Sequence, residues 1–162
     1  MTGLGAAARL GAQVMMLLNL APAKQMPASL LAQLDYLILN ESEATLLTEI
    51  AVSDVSSARQ AAQALRQMGC GTVIVTLGEK GALLSHADGE KHVSGFAVDV
   101  VDTTAAGDAF VGAFAVAVTE GKSLAEAVRF ANAVGALTVT KLGAQPSLPR
   151  LAEVERLVGK VS

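Results

Sequence analysis

The sequence predicts an α/β domain built around a mostly parallel sheet. Residues 14–18 (VMMLL), 36–39 (YLIL) and 72–77 (TVIVTL) are short, uninterrupted apolar runs, the pattern of strands covered on both faces by helices. Helical stretches separate the runs, as crossovers between parallel strands require. Each run ends at a polar or glycine-bearing segment, and open α/β sheets collect ligands at the carboxyl ends of their strands.

Residues 1–11, rich in Ala and Leu, read as a helix ahead of the first strand, which ends at Asn19. After Pro22 and Pro27, Ser29 is placed to cap a short helix reaching Leu34. The second strand gives way to Asn40-Glu41-Ser42-Glu43. Ser56 or Ser57 opens a helix through Met68, and Gly69 stops it. The β-branched third strand follows. Residues 81–101 lack helical periodicity and carry Asp88-Gly89, a tight-turn pair, so they read as antiparallel edge structure with His86 opposite Lys91. Helices are predicted over residues 106–119 and 123–140, separated by Gly121. A loop over 141–149 precedes an amphipathic helix carrying Leu151, Val154, Leu157 and Val158.

Composition narrows the function. The chain has 162 residues, 52% of them hydrophobic, and a net charge of −3, which suits one domain over residues 1–162 and excludes disorder. Thirty alanines stand against four Phe, one Tyr and no Trp, leaving no aromatic platform for bases. Twelve basic against fifteen acidic residues supply no cationic excess for a phosphate backbone, so nucleic acid is not an expected partner. The longest apolar run, residues 109–118, is ten residues long, about half of a membrane span, so no membrane is expected either. The amino-terminal segment lacks a secretory layout, and Cys70 has no second cysteine to pair with, which favours the cytoplasm. Cys70, between Gly69 and Gly71, is read as a packing residue.

The sharpest motif is Asp102-Thr103-Thr104-Ala105-Ala106-Gly107-Asp108, immediately before an apolar helix. Small residues there let backbone N–H groups and the helix dipole face an anion, and Asp108 in the same turn is suited to take a proton from an attacking hydroxyl. The competing reading is that Thr104 or Asp108 simply caps the helix. Asn40 and Glu43 have capping-box spacing. Thr76-Leu77-Gly78 is also an ordinary strand ending, Asn132 also fits a satisfied core amide, and Ser147 beside Pro146 also fits a turn. His86 and His92 flank the hairpin turn, but their expected register does not face them for a metal.

Asp102 to Asp108, followed by Ala109, Phe110 and Gly112, resembles the signature of the ribokinase family of carbohydrate kinases, the PfkB superfamily. Asn40-Glu41-Ser42-Glu43 resembles its Asn-x-x-Glu motif. Thr76 to Gly81 (TLGEKG) resembles its nucleotide-binding strand end, and Gly143 to Ser147 (GAQPS) its loop closing the adenine and potassium sites. The resemblance runs from about Asn19 to Pro149 and implies a ribokinase-like three-layer α/β/α fold, Rossmann-like and incomplete relative to the family.

It further implies an ATP-dependent kinase that phosphorylates a sugar, with ribose as acceptor, using ATP, Mg2+ and K+. Asp108 would be the base, and Ala105, Ala106 and Gly107 would form the anion hole through their amides. Asn40, Thr76, Gly78, Gly81 and Asn132 would meet the nucleotide, with Glu43 acting through the magnesium-water network. K+ would be held by Asp102 and Ser147 oxygens and by carbonyls of Thr104, Thr138, Lys141 and Gly143.

The motifs present belong to the family's carboxyl-terminal, nucleotide-binding half, without most of the sugar pocket; Leu20 stands where the family usually has Pro. Apolar helix faces left without neighbours imply a homo-oligomer. Two alternatives stand beside the sugar kinase: a non-catalytic nucleotide-binding or interaction module, and a family kinase for another sugar or nucleoside.

Overall fold

The computed structural model describes residues 17–19 and 27–160; the helix expected over 1–11 and the start of the first strand lie outside them. The elements run β1 (Leu17–Asn19), α1 (Ala28–Leu31), β2 (Tyr36–Asn40), α2 (Glu41–Thr48), α3 (Val55–Gln67), β3 (Thr72–Thr76), a 3-10 turn (Gly78–Lys80), β4 (Ala82–His86), β5 (Gly89–Val93), α4 (Ala106–Thr119), α5 (Leu124–Thr138), α6 (Ala144–Ser147) and α7 (Leu151–Gly159).

The five strands form one sheet in chain order. β1, β2 and β3 are parallel, and β4 and β5 add an antiparallel hairpin at the edge. Alternate side chains of the apolar runs divide between two cores. Leu37, Leu39, Val73, Val75 and Leu83 pack with Ala58, Ala61, Ala62 and Leu65 of α3. Ile38, Ile74 and Leu84 pack with α4, α5 and Val154 of α7. β2, β3 and β4 are thus sandwiched between helices, which is why they carry no polar alternation, whereas the edge strand β5 (GEKHV) is mostly polar. α4 and α5 make the most extensive helix contact in the described residues, because alanines line both helices where they meet the core. Tyr36 and Phe114 seal this side edge-to-face, their centroids 5.3 Å apart.

Three boundaries differ from expectation. α1 is a single turn ending at Leu31, with Pro27, not Ser29, at its start: the Pro27 carbonyl accepts from Leu30 N–H at 2.9 Å. α3 is capped by Asp54 rather than Ser56 or Ser57; Asp54 Oδ1 accepts from Ser57 N–H at 2.8 Å, and Ser57 Oγ accepts from Asp54 N–H at 3.1 Å. The loop over 141–149 contains the short helix α6. Ser123, where the second long helix is predicted to begin, is the N-cap of α5.

The hairpin turns at Ala87-Asp88, and His86 pairs with Gly89 rather than Lys91. This differs from the expected register by two residues. A two-residue slip keeps every side chain on its face, so the apolar pattern does not distinguish the two registers. Cys70 is buried, and burial pushes its thiol up to about 11, so it stays protonated and inert.

Two glycines join the edge hairpin to the turn after β3. A Cβ on Gly81, whose φ is 94°, would stand 2.1 Å from the Val93 carbonyl oxygen, and one on Gly95 would stand 2.4 Å from that of Glu79. Gly81→Ala is expected to destabilise the chain by roughly 2–4 kcal/mol in chemical denaturation. Gly112→Ala, in the exposed interior of α4 where a Cβ meets nothing within 4 Å, is expected to stabilise it by about 0.5–1 kcal/mol.

Candidate active site

Helix α4 starts in an unusual way. Its N-cap is Ala105, in the left-handed region at φ 62°, with no side-chain cap. Alanine is among the poorest N-caps, and the left-handed backbone costs about 1–2 kcal/mol without glycine. Neither Thr104 nor Asp108 caps the helix. Thr104 donates both its N–H (2.9 Å) and its hydroxyl (2.6 Å) to Asp102 Oδ1, and Asp108 makes no hydrogen bond back to the cap. Among the described residues, the N–H groups of Ala105, Gly107 and Asp108 therefore have no protein acceptor, while the Ala106 N–H donates to the Thr103 carbonyl at 3.3 Å. The free donors differ from the expected trio in that Asp108 N–H replaces Ala106 N–H, because the tight turn needs the latter.

The space beside Gly107 is open. Asp108 is exposed and sits at one end of an apolar groove of about 550 Å³ that runs along α4 past Gly112 and Val116 toward Leu148 and Leu151.

Asp102 holds this loop in place. Its Oδ2 accepts the Gly143 N–H at 3.0 Å, and the N–H groups of Val101 and Asp102 both donate to the Val139 carbonyl, at 2.7 and 3.1 Å. The Thr104 hydroxyl, the Gly143 N–H and the Thr104 N–H together hold the Asp102 carboxyl below its usual range. Of the residues expected around K+, the structure joins Asp102, Thr104 and Gly143 directly and brings in the Thr138–Lys141 turn through Val139. The Thr138 hydroxyl donates to the Val134 carbonyl at 2.8 Å and the Ser147 hydroxyl to Ala144 at 2.6 Å, and both residues are fully buried. The Thr104 and Lys141 carbonyls accept no protein hydrogen bond among the described residues. An all-oxygen set with unclaimed carbonyls fits a hard cation.

On the nucleotide side, Asn40 and Thr76 are register partners at the carboxyl ends of β2 and β3. Asn40 and Glu43 form the capping box of α2, at 2.9 Å in both directions, so the capping reading holds; the Asn40 amide nitrogen remains without a partner among the described residues. Thr76 donates weakly to Leu39, at 3.3 Å. Gly78, at φ 56°, faces open space. Two of the expected residues also have structural roles. Asn132 is buried and donates its Nδ2 to the carbonyls of Val93 (3.0 Å) and Ser94 (3.2 Å), and Gly81 is a glycine because Val93 crowds it. Sequence reasoning missed His92, whose Nε2 lies 2.7 Å from the Lys80 carbonyl. The spacing of His92 in the hairpin gives no signal of such a partner.

Unclaimed N–H groups at a helix start are the kind of donors that anions meet in proteins. Residues 2–151 match the pfkB family of carbohydrate kinases, and the chain belongs to that family. It is 44% identical over 140 residues to a ribokinase of Haemophilus influenzae, covering 86% of this chain and 46% of that protein. The ribokinase of Thermotoga maritima superposes with a TM-score of 0.82 at 41% identity, over 96% of this chain and 52% of that one. The ribokinase of Arabidopsis thaliana, solved with ribose and ATP, does so with 0.83 at 36% identity, over 95% and 50%. The chain thus spans about half the length of these relatives.

The backbone at Ala105 predicts that Ala105→Gly is neutral to stabilising by about 1 kcal/mol, against the usual penalty for glycine at a helix; a loss in thermal or chemical denaturation contradicts this. Because the folded Asp102 value lies below its unfolded 3.8, its stabilisation is full above 3.8 and is lost as pH falls through the depressed value. The stability difference between wild type and Asp102→Asn is expected to stay level over roughly pH 5–7 and to shrink on further acidification, read by denaturant titration at each pH.

Proposed function

We propose that the chain carries the phosphoryl-handling part of an ATP-dependent sugar kinase, with ribose as acceptor and ribose 5-phosphate and ADP as products. The observation that carries this reading is the start of α4, where the strained Ala105 turn leaves three backbone donors unclaimed with the Asp108 carboxylate beside them. Phosphoryl transfer depends on positioning and on stabilising charge rather than on covalent chemistry. Ala105, Gly107 and Asp108 present N–H groups to the migrating phosphoryl oxygens, aided by the α4 dipole. Asp108 takes the proton of the sugar's primary hydroxyl as that oxygen attacks. Asn40, Thr76 and Gly78 line the nucleotide's approach at the strand ends, where Asn40 offers a free amide.

Mg2+ enters with ATP and would be held by phosphate oxygens, with Glu43 reaching it through water; hard cations of this kind need few protein carboxylates. Asp102, Ser147 and the carbonyls of Thr104, Thr138, Lys141 and Gly143 would hold K+. When bound, the two cations supply positive charge beside the phosphates. We place the protein in the cytoplasm as a homo-oligomer that covers the apolar groove along α4; no described helix is long and apolar enough to cross a membrane.

One observation favours a second reading. Apart from Asp108 and Gln145, the side chains and glycine lining the groove beside the site are apolar, a poor surface for reading sugar hydroxyls, which suits a module that binds nucleotide without turnover. Titrating the chain with ATP and then adding ribose separates the two: ribose-dependent ADP release supports the kinase, and binding without release supports the module. In the kinase, Asp108→Asn is expected to lower turnover by about 10²–10⁴-fold and leave the ATP dissociation constant nearly unchanged; retained turnover removes Asp108 as the base. Replacing K+ by a larger organic cation is expected to lower ADP release, and indifference to the swap removes the cation site.

A further inference from the structure

The turn of Gly78–Lys80, which the proposed function sets against the nucleotide, is held from outside by groups far along the chain. Within itself it has ordinary turn bonds: Lys80 N–H to the Leu77 carbonyl at 3.1 Å, Gly81 N–H to Gly78 at 3.0 Å, and Leu77 N–H to Gly81 at 2.8 Å. Two side-chain bonds add to these. His92 Nε2 lies 2.7 Å from the Lys80 carbonyl oxygen, and Lys80 Nζ donates to the Ser53 carbonyl, in the loop between α2 and α3, at 3.0 Å. A carbonyl oxygen only accepts, so the His92 ring carries its proton on Nε2 in this contact. The close approaches of Gly81 and Gly95 bring the end of β5 against the same turn.

We propose that His92 is a positioning residue for the nucleotide end of the site: its Nε2–H fixes the Lys80 carbonyl and thereby the conformation of Gly78, whose φ of 56° and open flank set the surface offered to the nucleotide. This inference rests on the kinase or nucleotide-binding reading of the site. His92 is the partner of Leu83 on the hairpin, so it touches the turn from the edge strand and has no part in the chemistry at Asp108. Glutamine places an N–H donor close to where the imidazole Nε2 stands, whereas leucine retains bulk without a donor.

The test measures ATP affinity by calorimetry for wild type, His92→Leu and His92→Gln, with amide hydrogen exchange at Lys80 and Gly81 and the melting temperature as controls for folding. His92→Leu is expected to weaken ATP binding about three- to tenfold, the scale of one lost hydrogen bond, and to speed exchange at Lys80 and Gly81. His92→Gln is expected to restore both. Where ribose turnover is measurable, the ATP KM rises and kcat stays level. Wild-type affinity and unchanged exchange in His92→Leu overturn the positioning role and leave the proposed function standing. A wild-type chain that binds no ATP overturns both. A fall in melting temperature with equal loss of ATP affinity in the leucine and glutamine variants overturns the positioning role in favour of plain packing.

Discussion

Asp102 takes the Thr104 N–H and hydroxyl on one carboxylate oxygen and the Gly143 N–H on the other, and the start of α4 follows from that. With Thr104 drawn to Asp102, the residue most suited to capping the helix is unavailable, and the cap position falls to Ala105 in a left-handed conformation. A helix begun in this way leaves its first donors unsatisfied, which costs stability in an ordinary helix and is useful only where an anion arrives to meet them.

The rest of the fold serves to hold that turn in place. Burying the strands on both faces fixes their positions in the layer, and the alanine-lined contact of α4 with α5 sets the height of the α4 start relative to the sheet. The Val139 carbonyl, just past the end of α5, ties down Val101 and Asp102, so the loop is braced by the helix that follows α4. On the other flank, Asn132 in α5 grips the Val93 and Ser94 carbonyls while Gly81 and Gly95 lock the edge hairpin to the turn after β3. A single helix, α5, therefore touches both the segment leaving the hairpin and the segment entering α4, and the two halves of the site share one support.

Most of the layering was legible in the residues. The apolar runs at 36–39 and 72–77 became β2 and β3, and the helix predicted over 106–119 is α4 with those bounds, because periodicity and end signals are local. The motif from Asp102 to Asp108 stood out since small residues flanked by carboxylates are rare just before an apolar helix. Less legible were the features set by pairing at a distance. The hairpin register differs by two residues because both registers bury the same face. Asn132, expected by resemblance to meet the nucleotide, also donates its amide to the chain's own carbonyls, which only the position of the Val93 segment reveals. Gly81 fitted the family's turn by resemblance, and its crowding by Val93 comes from a strand edge that sequence does not locate.

What the sequence determined alone is the order of strands and helices, the helix ends where capping residues occur, and the residue types gathered at the α4 start, since each depends on neighbours a few positions away. Which backbone donors remain free there was decided by tertiary structure: the Asp102 carboxylate meets Gly143 41 residues along the chain, and only the packing of α4 and α5 against the sheet brings those two loops within hydrogen-bonding distance.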